Sequence, residues 1–272
     1  MTDLLLFEDA SPGVAERAQT LAASLPLISL EELTSTAALR HRFDRKYIVS
    51  WDVLELLFQQ LQATHRALEI DGRRVFGYRS TYFDTDSLQL FRDDMQGRRK
   101  RFKCRSREYV DSELRFFEIK LKGPRGETLK EQVAYEQSPR IISPEACGFV
   151  RSRVRAHYGF DFDGFDFAQP LSPTLTSEYR RVTLVSDHAA ERLTCDFSVH
   201  LAGDRSGSSM SSEFVILESK SARGFSTADL ALRALGAKPV SHCSKYCLGI
   251  GLTRAGVKTN DVRWLYRRYF VN

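Results

Sequence analysis

Residues 115–123 read Arg115-Phe116-Phe117-Glu118-Ile119-Lys120-Leu121-Lys122-Gly123 (RFFEIKLKG). Glu118, Lys120 and Lys122 take alternate positions, with Phe117, Ile119 and Leu121 between them. A period of two predicts a strand over 114–122 with one ionic face and one apolar face. A sheet with one side in water and one on a core would give the same pattern. Whether the ionic face meets solvent or a ligand is a question for the other strands.

The pattern recurs. In RRKRFKCRSREY (98–109), Arg99, Arg101, Lys103, Arg105 and Arg107 share a face, opposite Phe102 and Cys104. Arg192, Thr194 and Asp196 alternate with Leu193, Cys195 and Phe197. Glu218 and Lys220 alternate with Val215 and Leu217, Arg42, Asp44 and Lys46 with Phe43, and Tyr179 shares a face with Arg181. Strands are predicted near 42–49, 75–84, 98–109, 114–122, 128–135, 175–185, 191–199 and 213–221. Helices are predicted at 12–23 behind an N-cap at Ser11, at 50–63, at 86–93, from Ser143-Pro144 to 157, at 226–236, and through most of the chain after Ser244. Like charges on neighbouring strands repel, so rows of cations need a partner. Interior acids such as Glu118 and Glu218 offset a few, and a polyanion would offset the rest. Eight strands are about enough to close a small barrel around a ligand-sized interior. The pattern alone leaves two architectures open, a cation-lined tunnel and an open sheet with a basic, RNA-binding face. Nucleic-acid surfaces add stacking aromatics, and these faces carry few.

Bulk composition fits a soluble globular protein. The chain has 272 residues, 42% hydrophobic and 28% charged, and no apolar run of membrane-spanning length. Its start, MTDLLLFEDA, has acids on both sides of a short apolar patch and is not read as a signal peptide, so the expected compartment is the cytoplasm. The formal charge of +5 is split: residues 1–39 carry −5 and the remainder +10. That excess points to an anionic partner. The five cysteines form no metal framework and are expected as reduced, packed thiols. The scattered histidines, among them His41, His65 and His242, are expected at surfaces, and no Ser-His-Asp or Cys-His set is evident.

In order along the chain come Asp44-x-Lys46-Tyr47, Tyr82-Phe83-Asp84-Thr85, Lys103-x-Arg105, Phe117-Glu118-Ile119-Lys120, Lys130-Glu131, Tyr179-x-Arg181, Arg192-x-Thr194-x-Asp196, Leu217-Glu218-x-Lys220 and Ser244-Lys245-Tyr246. On these pieces the chain resembles the VTC domain, the polyphosphate polymerase branch of the triphosphate tunnel metalloenzymes, over roughly 40–250. Three departures stand out. Lys103-x-Arg105 replaces an Arg-x-Arg pair, which keeps charge but loses a bidentate fork. Arg107 replaces an aromatic residue. Arg42-x-Asp44-x-Lys46 stands where the CYTH type of tunnel enzyme carries Glu-x-Glu-x-Lys, which argues for the VTC branch.

The resemblance implies an α+β fold, an eight-stranded antiparallel tunnel with a charged interior flanked by helices. It implies residues 1–39 as an acidic helical segment and 40–272 as the tunnel domain. The implied activity is ATP-dependent polyphosphate synthesis with Mn²⁺ or Mg²⁺. The alternatives are a metal-dependent tripolyphosphatase or nucleoside triphosphatase, and a non-catalytic polyphosphate-binding module. Expected partners are ATP and polyphosphate, with no nucleic acid. Lys46, Lys103, Arg105, Lys120 and Arg181 are the candidate catalytic cations, with Arg79, Lys130, Tyr179, Lys220 and Lys245 as further substrate contacts; Arg79 has the alternative of an outward side chain and Tyr179 that of packing. Glu218 and Glu118 are candidate metal ligands, each with an alternative as an internal counter-ion. Arg192 serves either the ligand or Asp196. Lys122 and Arg125 either flank the tunnel mouth or are solvated. Tyr82, Phe83 and Asp84 are read as structural, with Asp84 capping the following helix.

Overall fold

The computed structural model describes residues 12–36, 43–123, 128–204, 206–222 and 224–271. Ser11, His41, Arg42 and Arg125 lie outside them. The elements run α1 (Pro12–Ala23), β1 (Leu27–Ile28), α2 (Leu30–Thr36), β2 (Phe43–Ser50), α3 (Trp51–Leu61), β3 (His65–Leu68), β4 (Phe76–Asp84) and α4 (Gln89–Met95). Then follow β5 (Arg101–Tyr109), β6 (Leu114–Lys122), β7 (Thr128–Ala134), α5 (Pro144–Tyr158), β8 (Ser172–Ser186), β9 (Glu191–Ala202), β10 (Gly207–Met210) and β11 (Phe214–Ser221). The chain closes with α6 (Thr227–Ala234), α7 (Lys245–Thr253), α8 (Arg263–Tyr269) and β12 (Phe270–Val271).

The fold is α+β, and its eight long strands follow the order β2–β11–β9–β8–β4–β5–β6–β7, every neighbouring pair antiparallel. The short strands β1, β3, β10 and β12 add to its margins and were not foreseen in the sequence. The sheet curls into a half-barrel. Among the described residues no ladder joins β7 to β2, but Lys120 on β6 reaches Asp44 on β2 at 3.4 Å. Period two then sorts the side chains. Val215, Leu217, Leu193, Cys195, Phe197, Val182 and Leu184 point outward into a core under α1, α3 and α6. Phe102, Cys104, Phe117, Ile119 and Leu121 do the same under α5. The opposite face of the same strands is ionic and points inward.

The helices are held by local chemistry. Ser50, Ser143 and Ser226 cap α3, α5 and α6 through their hydroxyls, and Asp229 completes a capping box with Ser226. The Asp84 carboxylate accepts from Leu90 N and Phe91 N at 2.9 Å, so it caps α4 as expected. Helix α7 lies so close to β8 that a Cβ on Gly249 would fall 2.3 Å from Leu175 Cδ2. Ala18, Ala22 and Leu25 of the N-terminal segment belong to the same core as the sheet.

Two expectations are corrected. His65 is buried beside Thr64, whose hydroxyl lies 2.9 Å from Nδ1, because β3 carries it under the sheet margin. Cys147 is exposed, while Cys104, Cys195, Cys243 and Cys247 are buried. No helix among the described residues is long and apolar enough to cross a membrane.

Candidate functional site

The curled sheet encloses a cavity of about 350 Å³. Among the described residues its wall carries ten cationic side chains: Lys46 from β2, Lys103, Arg105 and Arg107 from β5, Lys120 from β6, Lys130 from β7, Arg181 from β8, Arg192 from β9, Lys220 from β11 and Lys245 from α7. Among the described residues two carboxylates, Glu118 and Glu218, line the same space. A second cavity of about 480 Å³ shares Lys46, Lys103, Lys120 and Ser244 with the first and adds Asp94, Arg101, Lys122 and the 239–243 segment. Lys122 thus stands toward the outside, as the sequence suggested.

Each acid is clasped by several cations. Glu218 gives Oε1 to Lys46 and Oε2 to Lys220, both at 2.8 Å. Glu118 receives Arg105 at 2.7 Å and Lys130 at 2.6 Å, with Arg107 at 3.8 Å. Asp196 sits behind the wall, bound to Arg181 at 2.5 and 2.8 Å and to Lys245. Asp94 holds Lys103 at 2.6 Å and Arg101 at 3.0 Å. Burial would raise these carboxyls, but the surrounding cations outweigh it and hold Glu118, Glu218 and Asp196 well below the carboxylate range. Burial works against the Lys46 ammonium too, and Glu218 more than offsets it. Lys220 and Lys130 come out the other way. Desolvation outweighs Glu218 and Glu118, with Arg181 adding repulsion at Lys220 and Arg107 and Arg105 at Lys130, and both fall to about 8.

Tyrosines complete the wall. Arg105 donates to the Tyr82 hydroxyl at 2.9 Å, and Arg107 to the Tyr179 hydroxyl at 3.1 Å. Tyr179 stacks on Tyr78 with ring centroids 5.3 Å apart, and the Lys245 ammonium lies 4.1 Å from its ring centre. A β-bulge between Glu178 and Arg180 interrupts the β8–β9 ladder beside it, a common device for re-aiming side chains at sites. Ser244 caps α7 by accepting from Cys247 N, and Lys103 donates to the same hydroxyl at 3.2 Å.

The structure brings together all the sequence-predicted site residues but one. Arg79 is on the other face of β4, bound to Glu178 at 2.6 Å and Glu108 at 3.1 Å. The inward face of β4 is carried by Tyr78 and Tyr82, so a rule that reads charge as inward picks the wrong parity there. Tyr82 correspondingly lines the cavity rather than serving the core alone, whereas Phe83 is core. Arg192 lines the cavity, and Asp196 is taken by Arg181 and Lys245. Arg107 shares the cationic face in the sequence pattern but is not among the candidate site residues. It is a buried wall residue, and its place in the run Arg101-x-Lys103-x-Arg105-x-Arg107 was the signal that could have found it.

Among the described residues no three His, Cys, Asp or Glu side chains cluster into a metal cage. The donor set suits a hard cation nonetheless. Mg²⁺ is commonly held by one or two carboxylates plus substrate phosphates and water, and Glu218 or Glu118 would supply the carboxylate once an anionic ligand draws off its cationic partners.

A family profile described as the VTC domain matches residues 41–254. Solved structures similar to this chain include a proposed adenylate cyclase of Bacillus halodurans, 18% identical, with 74% of this chain and 93% of that one covered and a TM-score of 0.46. A Hippeastrum protein described as a proposed adenylyl cyclase with a dominant triphosphatase activity is 16% identical, with 78% of this chain and 96% of that one covered and a TM-score of 0.41. No curated protein matches the sequence. The profile match takes in all eight long strands and every cation of the cavity wall, and the chain therefore belongs to the VTC domain family.

Proposed function

We propose that the protein is an ATP-dependent polyphosphate polymerase of the cytoplasm. The observation that carries the reading is the charge of the cavity wall, ten Lys and Arg against two Glu among the described residues, in a VTC domain. A terminal phosphate oxygen of the growing chain attacks the γ-phosphorus of ATP. The new P–O bond forms as the bond to the β–γ bridging oxygen breaks, and ADP leaves with that electron pair. Phosphoryl transfer asks for alignment and charge neutralisation more than for covalent chemistry. Lys46, Lys103, Arg105, Lys120 and Arg181 supply the neutralisation, and Arg107 joins them. Lys130, Tyr179, Lys220 and Lys245 seat the rest of the chain. Each charge-assisted hydrogen bond contributes about 1.5–3 kcal/mol. Glu218 and Glu118 would be the residues to hold a Mn²⁺ or Mg²⁺ ion, which would supply Lewis-acid charge neutralisation.

Hydrolysis of tripolyphosphate or a nucleoside triphosphate is the second reading. It is favoured by Leu30, Leu33 and Leu68, which make part of the cavity wall apolar and suit a short anion better than a threaded polymer. Purified protein with ATP and Mn²⁺ separates the readings. Polyphosphate as product is the expected result. Orthophosphate would put the hydrolase first, and no turnover with tight tripolyphosphate binding would leave a binding module.

A further inference from the structure

The cavity is chemically lopsided. Leu30, Leu33, Leu68, Tyr78 and Tyr109 line it, and none of them lines the second cavity, which shares only Lys46, Lys103, Lys120 and Ser244 with the first. The apolar group is therefore no part of the cationic opening, the junction with the second cavity that Lys46, Lys103 and Lys120 line. Two of its leucines come from α2, in the acidic segment that the sequence sets apart from the tunnel.

Helix α2 is stapled in place. Strand β1 just before it pairs in parallel with β3, Leu27 opposite Ala67 and Ile28 opposite Leu68. Ser29 N donates to the Glu32 carboxylate at 2.9 Å, and Glu32 N donates to Ser29 Oγ at 3.1 Å, a reciprocal cap. Arg66 on β3 joins Glu32 at 3.1 Å to Asp187 at 2.5 Å. Leu33 is buried in one cluster with Ile28, Leu68 and Tyr78, while Leu30 is half exposed.

We propose that α2 is a stopper that sets the length of phosphate chain the site accepts, with Leu30 and Leu33 as the specificity-determining residues. This rests on the reading of the cavity as a phosphate-chain site. A phosphate chain moving past the tyrosines meets leucine side chains, which offer no donor to replace its water. Glu31, exposed on the same helix, adds negative charge that disfavours an anion there. The chain therefore enters and leaves by the cationic opening shared with the second cavity, and the site seats the end of a chain rather than its middle.

The test is calorimetric binding of linear phosphate oligomers of increasing length, with affinity expressed per chain. In the wild type, affinity rises with length until the cavity is full and then stays level. Leu30→Lys, at a half-exposed position that tolerates replacement, adds a donor at the apolar end. It should tighten by about tenfold only those oligomers long enough to reach it. Leu33→Ala removes the buried half of the stopper and should move the plateau to longer chains. If that variant does not fold, Leu30→Lys decides. Affinity that climbs steadily with length in the wild type, or a Leu30→Lys protein with the wild-type length profile, overturns the stopper while leaving the phosphate site intact. Failure of every oligomer to bind overturns the phosphate-chain reading and the stopper with it.

Discussion

The cations of the cavity wall divide by how fully acids offset them. For Lys46, Lys103, Arg105 and Arg181 burial opposes the charge, but Glu218, Asp94, Glu118 and Asp196 respectively lie close enough for the folded state to favour it. For Lys130 and Lys220 desolvation wins, and both titrate near 8 instead of the ordinary lysine value of 10.5. Between those values the folded chain binds fewer protons than the unfolded one, so these two lysines make ligand-free stability rise with pH. Anion binding runs in the opposite direction, because it needs the protons. Melting temperature and tripolyphosphate affinity measured from pH 7 to 10 should therefore diverge above about 8, and a parallel fall of both would refute the assignment. The same division predicts mutants. Lys220→Met should raise ligand-free stability by about 1–3 kcal/mol, at about 2–4 °C per kcal/mol, while Lys103→Ala lowers it by taking from Asp94 the nearer of its two cations and leaving Arg101 alone. Both should lose most tripolyphosphate affinity. Glu218→Gln takes the shared partner from Lys46 and Lys220, so melting temperature should drop, by up to about 3–5 kcal/mol in stability. Tripolyphosphate should restore it, since an anion replaces an anion. Metal-dependent turnover should fall by orders of magnitude. A destabilised Glu218→Gln protein with unchanged Mn²⁺ dependence would make Glu218 a counter-ion and nothing more.

At the scale of elements, α7 decides whether the wall is complete. It brings Ser244, Lys245 and Tyr246 to the cavity, and its distance from β8 is set by Gly249 against Leu175. Leu175 is buried, so it cannot swing away cheaply. Gly249→Ala should cost about 1–3 kcal/mol by overpacking and weaken tripolyphosphate binding several-fold, because Lys245 moves with the helix. A second change, Leu175→Ala, should restore part of both, and a double mutant no better than Gly249→Ala would disprove the packing argument. How much of this was legible depended on how regular each element is. The ionic faces of β2, β5, β6, β9 and β11 follow strict period two, so Glu118, Lys103 and Glu218 could be placed from sequence. Strand β4 reads YRSTY, where the inward residues are the uncharged Tyr78, Ser80 and Tyr82, and Arg79 misled. The β8 bulge and the margin strands β1 and β3 leave no periodic trace. Leu30 and Leu33 could not be seen as wall residues, because seven helical residues hold too few turns to show which face is covered.

At the scale of the whole molecule, the excess of positive charge among the described residues is turned inward, an arrangement suited to a slender phosphate chain rather than to a duplex. Duplex DNA reads cations spread along a surface, and its affinity falls steeply with salt as counterions are released, with a slope near −0.9 per contacted phosphate. A duplex about 20 Å across, taking two grooves and their backbones together, cannot enter a cavity of about 350 Å³. A linear triphosphate can, and inside the half-barrel its partners are screened far less than surface charges, whose reach at physiological salt is about 8 Å. Competition at moderate salt should thus leave tripolyphosphate bound in the presence of excess duplex. Bound at 100 times its Kd, tripolyphosphate should stabilise the fold by about 2.7 kcal/mol. Single-stranded oligonucleotides give the sharper control, since they are thin enough to approach the mouth yet carry one charge per nucleotide instead of a dense phosphate chain. They should compete only through a terminal triphosphate. Oligonucleotides with and without a 5′-triphosphate, titrated against labelled tripolyphosphate, would show the difference directly. Equal competition by both would mean that the cations outside the cavity hold the anion, and the inward-facing wall would then be a device for folding rather than for binding.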